Sequence, residues 1–390
     1  MRSFSRPPFP FSLFPFPLFP FPPFVAVLIS DFDFELPGEL IAQRPLARRD
    51  ASRMLALDRA AGAWRDSTFA ELPGLLRAGD AVVINNTKVF PARLEGRREP
   101  TGGAVELLLV RERPDLGPLA WEALARPARR LAPGARLTFG DGRLRAEILG
   151  AASEAVEVGE AGKAGEGGSR LVRFEAEGDF DALLEEFGRT PLPPYIKRGD
   201  QGEAARAEDR ERYQTVFAER RGAIAAPTAG LHFTPRVLEE LRAGGVSIAE
   251  VTLHVGYGTF APVRVEDLGE HRVAAERFEV GEGAADTVNR ARARGGRVVA
   301  VGTTTVRTLE SAADEHGQVR PGRGETGLTI TPGYRFRAVD AMLTNFHLPR
   351  SSLLVLVGAF AGRDLVLAAY RHAVAARYRF YSYGDCMFIT

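Results

Sequence analysis

A run of short apolar segments between residues 79 and 174 most constrains the fold of this chain. Glycine-rich turns separate the segments, and this spacing is typical of a small all-β barrel or sandwich. The candidate strands are 81–84, 105–110, 121–124, 137–139, 146–149 and 171–174. We therefore predict an inserted, barrel-like β domain over residues 79–174.

The sequence on both sides of this segment alternates between strand-like and helix-like patterns. Such alternation indicates an α/β layered domain, so we expect residues 28–78 and 175–390 to form one α/β catalytic domain that the β domain interrupts. A charged helix is predicted at 204–219, and the apolar run 353–360 fits a helix or a strand. Further predicted elements are strand 54–57, helix 235–243, strand 246–253, helix 283–294, strand 297–301, helix 304–313 and helix 364–376.

Residues 1–27 have a different composition, in which phenylalanine alternates with proline over most of their length. Repeated prolines prevent a helix, so this segment matches neither the apolar part of a signal peptide nor a membrane span. We expect a disordered extension and no membrane partner.

Composition limits the partners and the metal or disulfide sites that this chain can have. The formal net charge is only +1, so any nucleic-acid partner must be held by local patches rather than by a global field. A single cysteine, Cys386, rules out a disulfide framework and a cysteine-based zinc site. The six histidines are scattered without metal-ligand spacing. A cytoplasmic protein without a metal is the simplest interpretation.

The stretch 226–235, APTAGLHFTP, reads as a tight turn followed by a helix start. Thr234 is a good N-cap and Pro235 suits the first helical position. Gly230 would let the backbone approach a ligand, and His232 would lie beside the positive end of the helix, which should lower its pKa. His232 is therefore a candidate proton-transfer residue. The alternative is a histidine that only hydrogen-bonds within the turn.

A second helix start follows the apolar strand predicted at 297–301. Gly302, Thr303 and Thr304 open the helix, an arrangement that presents N–H groups and hydroxyls to a phosphate or carboxylate. Arg307 lies one turn later and could pair with a carboxylate. An ordinary N-cap with an exposed arginine fits equally well, and there is no G-x-G-x-x-G fingerprint of a dinucleotide site.

Two further segments carry candidate site residues. His254-Val255-Gly256-Tyr257-Gly258-Thr259-Phe260 ends a strand, and its glycines would let Tyr257 and Phe260 stack on a base. His347, in the segment TNFHLP at 344–349, precedes an apolar run. Buried aromatic residues and a buried, satisfied histidine are the competing interpretations.

Charge is uneven within the predicted β domain. Between Lys88 and Arg145 there are twelve Lys or Arg and seven Asp or Glu, a balance of +5. Arg126, Arg129 and Arg130 form its densest part, and arginine forks bind phosphate oxygens in a bidentate manner. A solvated β surface is the alternative.

An ordered set of motifs resembles the S-adenosylmethionine:tRNA ribosyltransferase-isomerase family of queuosine biosynthesis, from about Ile29 to the C-terminus. The motifs are IAQRP at 41–45, GDAVVINNTKVFPAR at 79–93, GRTPLPPYI at 188–196, YQTVF at 213–217, the 226–235 stretch, HVGYGTF at 254–260, VGTTTVR at 301–307, TNFHLP at 344–349 and YSYGD at 381–385. Each motif is weak alone, and the ordered set is specific.

The resemblance implies a reaction in which S-adenosylmethionine is consumed as a substrate and no cofactor is needed. Its ribosyl moiety would be transferred to 7-aminomethyl-7-deazaguanine at the wobble position of a tRNA anticodon and isomerised, which yields epoxyqueuosine, adenine and methionine. We expect a monomer, with His232 and then His254 as catalytic candidates and Arg126, Arg129 and Arg130 as tRNA contacts. The expected substrate-binding residues are Thr228, Gly230, Leu231, Gly256, Tyr257, Thr259, Gly302, Thr303, Thr304, Arg307, Asn345 and His347.

Two other functions remain open from the residues alone. A non-catalytic RNA-binding protein would use the basic β domain and keep the α/β domain as a scaffold. A methyltransferase would also bind S-adenosylmethionine, although the missing glycine fingerprint argues against it.

Overall fold

The computed structural model describes residues 26–152, 168–198, 202–256 and 263–390. The strands are β1 Arg53–Asp58, β2 Ala63–Thr68, β3 Ala81–Asn85, β4 Thr87–Val89, β5 Arg93–Arg98, β6 Gly103–Glu112, β7 Ala120–Arg126, β8 Arg136–Phe139, β9 Leu144–Ala151, β10 Gly168–Ala176, β11 Arg220–Ala223, β12 Ser247–Leu253, β13 Glu276–Val280, β14 Val298–Val301, β15 Gly322–Thr326, β16 Ala341–Asn345 and β17 Cys386–Ile389. The α-helices are α1 Leu72–Leu75, α2 Phe180–Phe187, α3 Glu203–Arg212, α4 Pro235–Ala243, α5 Glu282–Ala293, α6 Thr303–Ala312, α7 Ser352–Ala361 and α8 Arg363–Ala375. Short 3-10 helices lie at Ile29–Phe32, Gly38–Leu40, Arg49–Ala51, Phe69–Glu71, Pro114–Leu116, Ala128–Arg130 and Thr228–His232.

A nine-stranded mixed sheet forms the centre of the main domain. Its order is β15-β13-β12-β3-β14-β16-β17-β1-β2. The four central strands β12, β3, β14 and β16 run parallel. Strand β17 pairs antiparallel with β16 and parallel with β1, and the remaining outer pairs are antiparallel. Because ligands in open α/β sheets bind beyond the carboxyl ends of parallel strands, a binding site is expected at this edge of the sheet.

Helices cover both faces of the sheet. Successive residues of a strand point to opposite faces, and β14 shows this clearly. Val298 and Ala300 pack in the core that includes residues of α5, α6, α7 and α8, whereas Val299 and Val301 pack in the core that includes residues of α1 and α4. The α/β layered architecture predicted from the alternation is confirmed.

The inserted β domain is a closed six-stranded barrel. Its strand order is β10-β7-β6-β5-β8-β9, and every described pairing is antiparallel. The interior is apolar and contains the buried rings of Phe139 and Phe174. Gly96 is required there because a Cβ at this position would lie 2.5 Å from the Phe139 ring. The predicted barrel-like domain is therefore present.

One predicted strand of this domain belongs elsewhere. Residues Ala81–Asn85 are all buried and pair in parallel with β12 and β14, at the centre of the large sheet. Their unbroken apolar run fits a strand covered on both faces, which the barrel does not offer. The first barrel strand is instead β5, whose polar sequence RLEGRR gave no apolar run.

Two helical predictions also change in detail. Helix α3 ends at Arg212 rather than at 219, because Tyr213 is fully buried and Gln214 is held by the backbone of Val89 at 3.1 Å and 2.7 Å. The ambiguous run 353–360 is helix α7, which is buried along most of its length.

The α/β domain begins earlier in the chain than predicted. Val27 packs against the main core, and its carbonyl accepts a hydrogen bond from the Leu268 N–H at 3.0 Å. The predicted extension 1–27 therefore includes a residue that joins the fold, and residues 1–25 lie outside the described part. No single helix within the described ranges has the length and apolar character of a membrane span. Helices α7 and α8 meet both criteria when they are taken together, but a bend of 116° separates them.

Candidate active site

A small cleft lies beyond the carboxyl ends of β14 and β16, where they face the segment 226–229. It encloses about 30 Å³, enough for a water molecule or two and much smaller than a nucleoside. The space between the described walls is therefore smaller than a nucleoside. The lining residues are Ala226, Pro227, Thr228, Ala229, Val255, Gly302, Thr303, Thr304, Thr344, Asn345, His347, Leu353, Tyr381 and Ser382.

The amino end of helix α6 forms one wall of the cleft. Gly302 precedes the helix with φ of +89°, a left-handed conformation that favours glycine. Thr303 and Thr304 follow at the first helical positions and are buried. The unpaired N–H groups of a helix start favour an electron-rich or negatively charged group. The structure thus brings Gly302, Thr303 and Thr304 together in the cleft, as the motif suggested.

His232 lies directly behind the cleft and is 3% exposed. Its Nδ1 is 2.8 Å from Ser52 Oγ, and its Nε2 is 3.3 Å from Asn345 Nδ2. Because an amide nitrogen can only donate, Nε2 must accept and the imidazole proton lies on Nδ1. The Ser52 oxygen can accept a hydrogen bond from the Nδ1–H group, because its own hydroxyl hydrogen is donated to the Arg49 carbonyl at 3.2 Å. The network therefore presents an unprotonated Nε2 toward Asn345.

Burial lowers the pKa of His232 to about 3, and the positive charges of Arg379 and Arg49 contribute to this lowering. The direction agrees with the prediction, but the predicted cause was the helix end. Desolvation dominates because the ring is enclosed and packs beside Phe69, at 5.3 Å between centroids. His232 is neutral at physiological pH.

Asn345 connects His232 to the cleft. Its Nδ2 also donates to the Tyr381 carbonyl at 3.1 Å, which fixes the orientation of the amide. Its Oδ1 is buried and has no hydrogen-bond partner in the described part of the chain. Buried acceptors are nearly always satisfied, so this carbonyl, on a residue that lines the cleft, is suited to accept an N–H group of a ligand.

His347 lines the cleft on the same side. Its Nε2 is 2.9 Å from Thr344 Oγ1, and its backbone N–H donates to the Tyr370 hydroxyl at 3.1 Å. Burial lowers its pKa to about 3. It is a second neutral histidine in the site, and its own short hydrogen bond holds it in place.

Arg307 lies away from the cleft lining and is 4% exposed. It forms an ion pair with Glu276 and donates to the carbonyls of Leu328 and Thr326, each at 3.1 Å. Glu276 in turn accepts the Gly256 N–H at 2.8 Å. In this structure Arg307 therefore supports the segment after β12 and does not face the cleft.

Of the residues predicted from the 226–235 stretch, Thr228 lines the cleft and two others do not. A Cβ on Gly230 would lie 2.8 Å from Phe217 and 2.9 Å from Thr215. The missing side chain therefore makes room for neighbouring residues rather than for a ligand. Leu231 packs in a buried cluster that contains Tyr213.

His254 lies outside the cleft lining. Its Nδ1 is 2.8 Å from Thr87 Oγ1, and its ring packs against Gly222, where a Cβ would lie 2.7 Å away. Burial lowers its pKa, as does Arg277. The structure does not bring His254 together with His232. Tyr257 and Thr259 fall outside the described residues.

The cleft also contains residues that the site prediction missed. Tyr381 and Ser382 belong to the YSYGD motif, so a signal existed, and Tyr381 has φ of +72°, uncommon for an aromatic residue. Thr344 adjoins Asn345 in another motif. Ser52 carries no motif signal at all, and only the fold places it beside His232.

The predicted RNA contacts lie in a separate, open cleft on the barrel. This cleft has a volume of about 960 Å³ and is lined by Arg97, Arg126, Arg129 and Arg130. Two glutamates also line it, but Glu106 pairs with Arg93 and Glu95 with Arg189. No described carboxylate forms an ion pair with Arg129 or Arg130. The surface therefore keeps a positive character.

The described ranges contain no group of three or more His, Cys, Asp or Glu side chains placed to hold a metal ion. We assign no metal ligand.

Comparisons with known proteins match nearly the whole described chain. A family model described as "Queuosine biosynthesis protein" matches residues 29–389. A relative from Symbiobacterium thermophilum, named S-adenosylmethionine:tRNA ribosyltransferase-isomerase, is 52% identical over 361 residues, which cover 93% of this chain and 99% of the relative. One of the same name from Phenylobacterium zucineum is 53% identical, with 92% and 98% covered. The crystal structure of S-adenosylmethionine tRNA ribosyltransferase from Thermotoga maritima is 37% identical, with a TM-score of 0.51 and coverage of 93% and 100%.

Proposed function

The chain belongs to the S-adenosylmethionine:tRNA ribosyltransferase-isomerase family of queuosine biosynthesis, and from this premise we propose that its chemistry takes place in the cleft around Asn345. The enzyme transfers the ribosyl moiety of S-adenosylmethionine to 7-aminomethyl-7-deazaguanine at the tRNA wobble position and isomerises it. The products are epoxyqueuosine in the tRNA, adenine and methionine. The names of the relatives are those of enzymes and do not support a purely RNA-binding role.

The reaction has demands that the cleft can meet. The attacking amine must be neutral, although a free alkylamine titrates near ~10. A proton must also leave the carbon beside the sulfonium, and adenine must leave with a proton. Histidine suits such transfers when its neutral form is available. The proposal rests on the neutral His232. Its unprotonated Nε2 is 3.3 Å from the amide nitrogen of Asn345, and Asn345 lines the cleft.

We assign proton transfer to His232 rather than to His254. Displacement of the Asn345 amide, whose hydrogen bond to His232 is long at 3.3 Å, would expose Nε2 to a substrate in the cleft. His254 is held at Thr87, away from the cleft lining. His347 lines the cleft but is engaged with Thr344, so it serves as the comparison in any test.

S-adenosylmethionine binding is assigned to the wall formed by the start of α6. The backbone N–H groups at the start of α6, around Thr303 and Thr304, would bind the carboxylate of the methionine moiety. Asn345 Oδ1, which has no hydrogen-bond partner among the described residues, would accept an N–H group of the same substrate. Neither interaction requires Arg307, which is occupied by Glu276.

The tRNA is assigned to the barrel cleft, through Arg126, Arg129 and Arg130. The arginine surface supports this assignment because phosphate contacts position a nucleic acid without reading its sequence. We further propose that the protein acts as a cytoplasmic monomer and that it needs no cofactor besides the consumed S-adenosylmethionine.

Product analysis tests the proposed function. The protein is incubated with S-adenosylmethionine and with tRNA carrying 7-aminomethyl-7-deazaguanine, and the small products are identified. We expect adenine and methionine in equal amounts. S-adenosylhomocysteine would indicate methyl transfer, and the absence of turnover would leave RNA binding alone; either result contradicts the proposal.

A further inference from the structure

Two arginines, Arg49 and Arg379, lie close enough to His232 to lower its pKa, and a third, Arg212, lies beside Arg49. None of them contacts a substrate in the function proposed above. We call Arg49, Arg212 and Arg379 the arginine cluster. Arg49 donates at 3.3 Å to the carbonyl of Leu231, the residue before His232. It also donates at 3.3 Å to the carbonyl of Glu211, the residue before Arg212. The cluster is therefore adjacent to the proposed proton-transfer residue.

The cluster is held by backbone carbonyls rather than by carboxylates. Arg212 donates to the Leu46 carbonyl at 2.5 Å, and Arg379 donates to the carbonyl of Arg44. No described Asp or Glu forms an ion pair with any of the three. Carbonyl contacts fix the guanidinium groups, and the nearest carboxylates, Glu211 for Arg49 and Asp385 for Arg379, act on them without forming an ion pair.

Several donors in this region are buried and lack an acceptor. Among the described residues, Arg212 Nε, Arg379 Nη1 and the Tyr383 hydroxyl have no hydrogen-bond partner. Tyr383 is 4% exposed, and its ring lies 5.9 Å from that of Tyr213, next to Arg212 in the chain. Buried donors of this kind are rare without a partner. Tyr383 lies near Arg212 and Arg49, and Arg379 lies on the His232 side of the cluster. A group with several acceptor oxygens and negative charge would satisfy such donors.

We propose that the arginine cluster binds a backbone phosphodiester of the substrate tRNA and so places the modified nucleotide against His232. Arginine forks match phosphate oxygens in geometry and charge. S-adenosylmethionine fits this cluster poorly, because its sulfonium and ammonium groups give it a net positive charge. The inference rests on the proposed function, since it takes tRNA as the substrate.

Three carboxylates lie near the cluster, on Asp209, Glu211 and Asp385. Asp209 pairs with Arg198 at 2.8 Å. Asp385 accepts the backbone N–H groups of Arg53 and Arg379, at 3.0 Å and 2.8 Å. Glu211 is exposed to solvent. None of these carboxylates forms an ion pair with the three guanidinium groups, so their charged ends can contact a phosphate.

The placement has a consequence for His232. Arg379 and Arg49 are the two charged groups that lower the pKa of His232, after burial. A bound phosphodiester would offset the charge of these two arginines and raise the pKa of His232 above its value without tRNA, although burial still lowers it.

The test measures RNA binding and substrate use separately. Arg212→Gln and Arg379→Gln are compared with wild type for the Kd of an anticodon stem-loop RNA over a series of salt concentrations, and for the KM of S-adenosylmethionine. We expect each variant to weaken RNA binding and to lower the slope of log Kd against log salt by about 0.7, the value for one phosphate contact to single-stranded RNA. The KM of S-adenosylmethionine should stay unchanged.

Two control variants distinguish removal of a phosphate contact from damage to the fold. Arg294→Gln removes an exposed arginine at the end of α5 and should leave the slope unchanged. Arg212→Lys keeps the charge and should retain most of the slope. An unchanged slope in both glutamine variants, or a rise in the KM of S-adenosylmethionine, would overturn the proposal. Because RNA binding needs no turnover, this failure is distinguishable from a failure to form adenine and methionine.

Discussion

At the scale of single residues, the site depends on groups that are buried in their neutral forms. His232 and His347 each have a pKa lowered to about 3, and burial is the main cause in both. A charged imidazole would have to shed its hydration to enter these positions. The fold therefore keeps two proton acceptors unprotonated at the pH of the cell.

This arrangement predicts how stability depends on pH. Above pH ~6.5 both histidines are neutral in the folded and unfolded states, so they contribute no pH dependence. As the pH falls below that value, only the unfolded state takes up the protons. Each histidine then lowers the free energy of unfolding by up to about 1.4 kcal/mol per pH unit, down to the folded pKa. Urea unfolding measures the free energy of unfolding of wild type and of His347→Gln at each pH. Between about pH 4 and 6, this free energy should change less steeply with pH in the variant than in wild type. Parallel curves would contradict a neutral, buried His347.

Asn345 gives a second prediction at this scale. Replacing Asn345 with Ala removes the unpartnered acceptor, so the KM of S-adenosylmethionine should rise by roughly 10-fold to 100-fold, the value of one hydrogen bond to a buried group. Asn289→Ala is the matched control, because that amide is already paired with the backbone of Val319. Steady-state kinetics on both variants measures the difference. Equal effects on KM would remove Asn345 from the substrate site.

At the scale of elements, a buried ion pair holds the segment after β12 in position. Arg307 and Glu276 are 4% and 3% exposed at their side chains, and Glu276 also holds the Gly256 N–H. Glu276→Gln would leave Arg307 with an uncompensated buried charge. We expect a loss of about 3–5 kcal/mol in the free energy of unfolding.

The partly exposed pair of Glu106 and Arg93 provides the control for this prediction. Its side chains are 28% and 26% exposed, so Glu106→Gln should cost no more than about 1 kcal/mol. Denaturant unfolding of the two variants compares them directly. Similar losses in both would show that the Arg307 pair is not a structural anchor.

Local signals decided which elements were predictable from the sequence. Helix α4 has the predicted bounds, because Thr234 accepts the Val237 N–H at 3.3 Å and Pro235 occupies the first turn. Strand β5 was missed because its outward residues are charged. The partners of His232 could not be predicted, since Ser52 and Asn345 lie 180 and 113 residues away in the chain. Contacts of that separation depend on sheet order, which no local pattern encodes.

At the scale of the whole molecule, the α/β domain carries the small cleft and the barrel carries the large basic one. Changing Arg126, Arg129 and Arg130 to alanine should weaken tRNA binding and lower the salt slope by roughly 0.7 for each phosphate contact that is removed. The KM of S-adenosylmethionine should not change, because that substrate is assigned to the other domain. Arg290→Ala with Arg294→Ala, on exposed positions of α5 and its end, controls for loss of positive charge on a surface away from the barrel. A slope equal to that of wild type would place the RNA surface elsewhere.

The central claim is that His232 transfers protons in the cleft beside Asn345. The most direct measurement is the single-turnover rate of His232→Asn with saturating S-adenosylmethionine and tRNA, together with its thermal stability. His347→Gln serves as the comparison, because that histidine is equally neutral and also buried. We predict a fall of roughly 10²–10⁴-fold for His232→Asn in a protein that remains folded, and a smaller fall for His347→Gln. A stable His232→Asn protein with a near-normal rate would contradict the account.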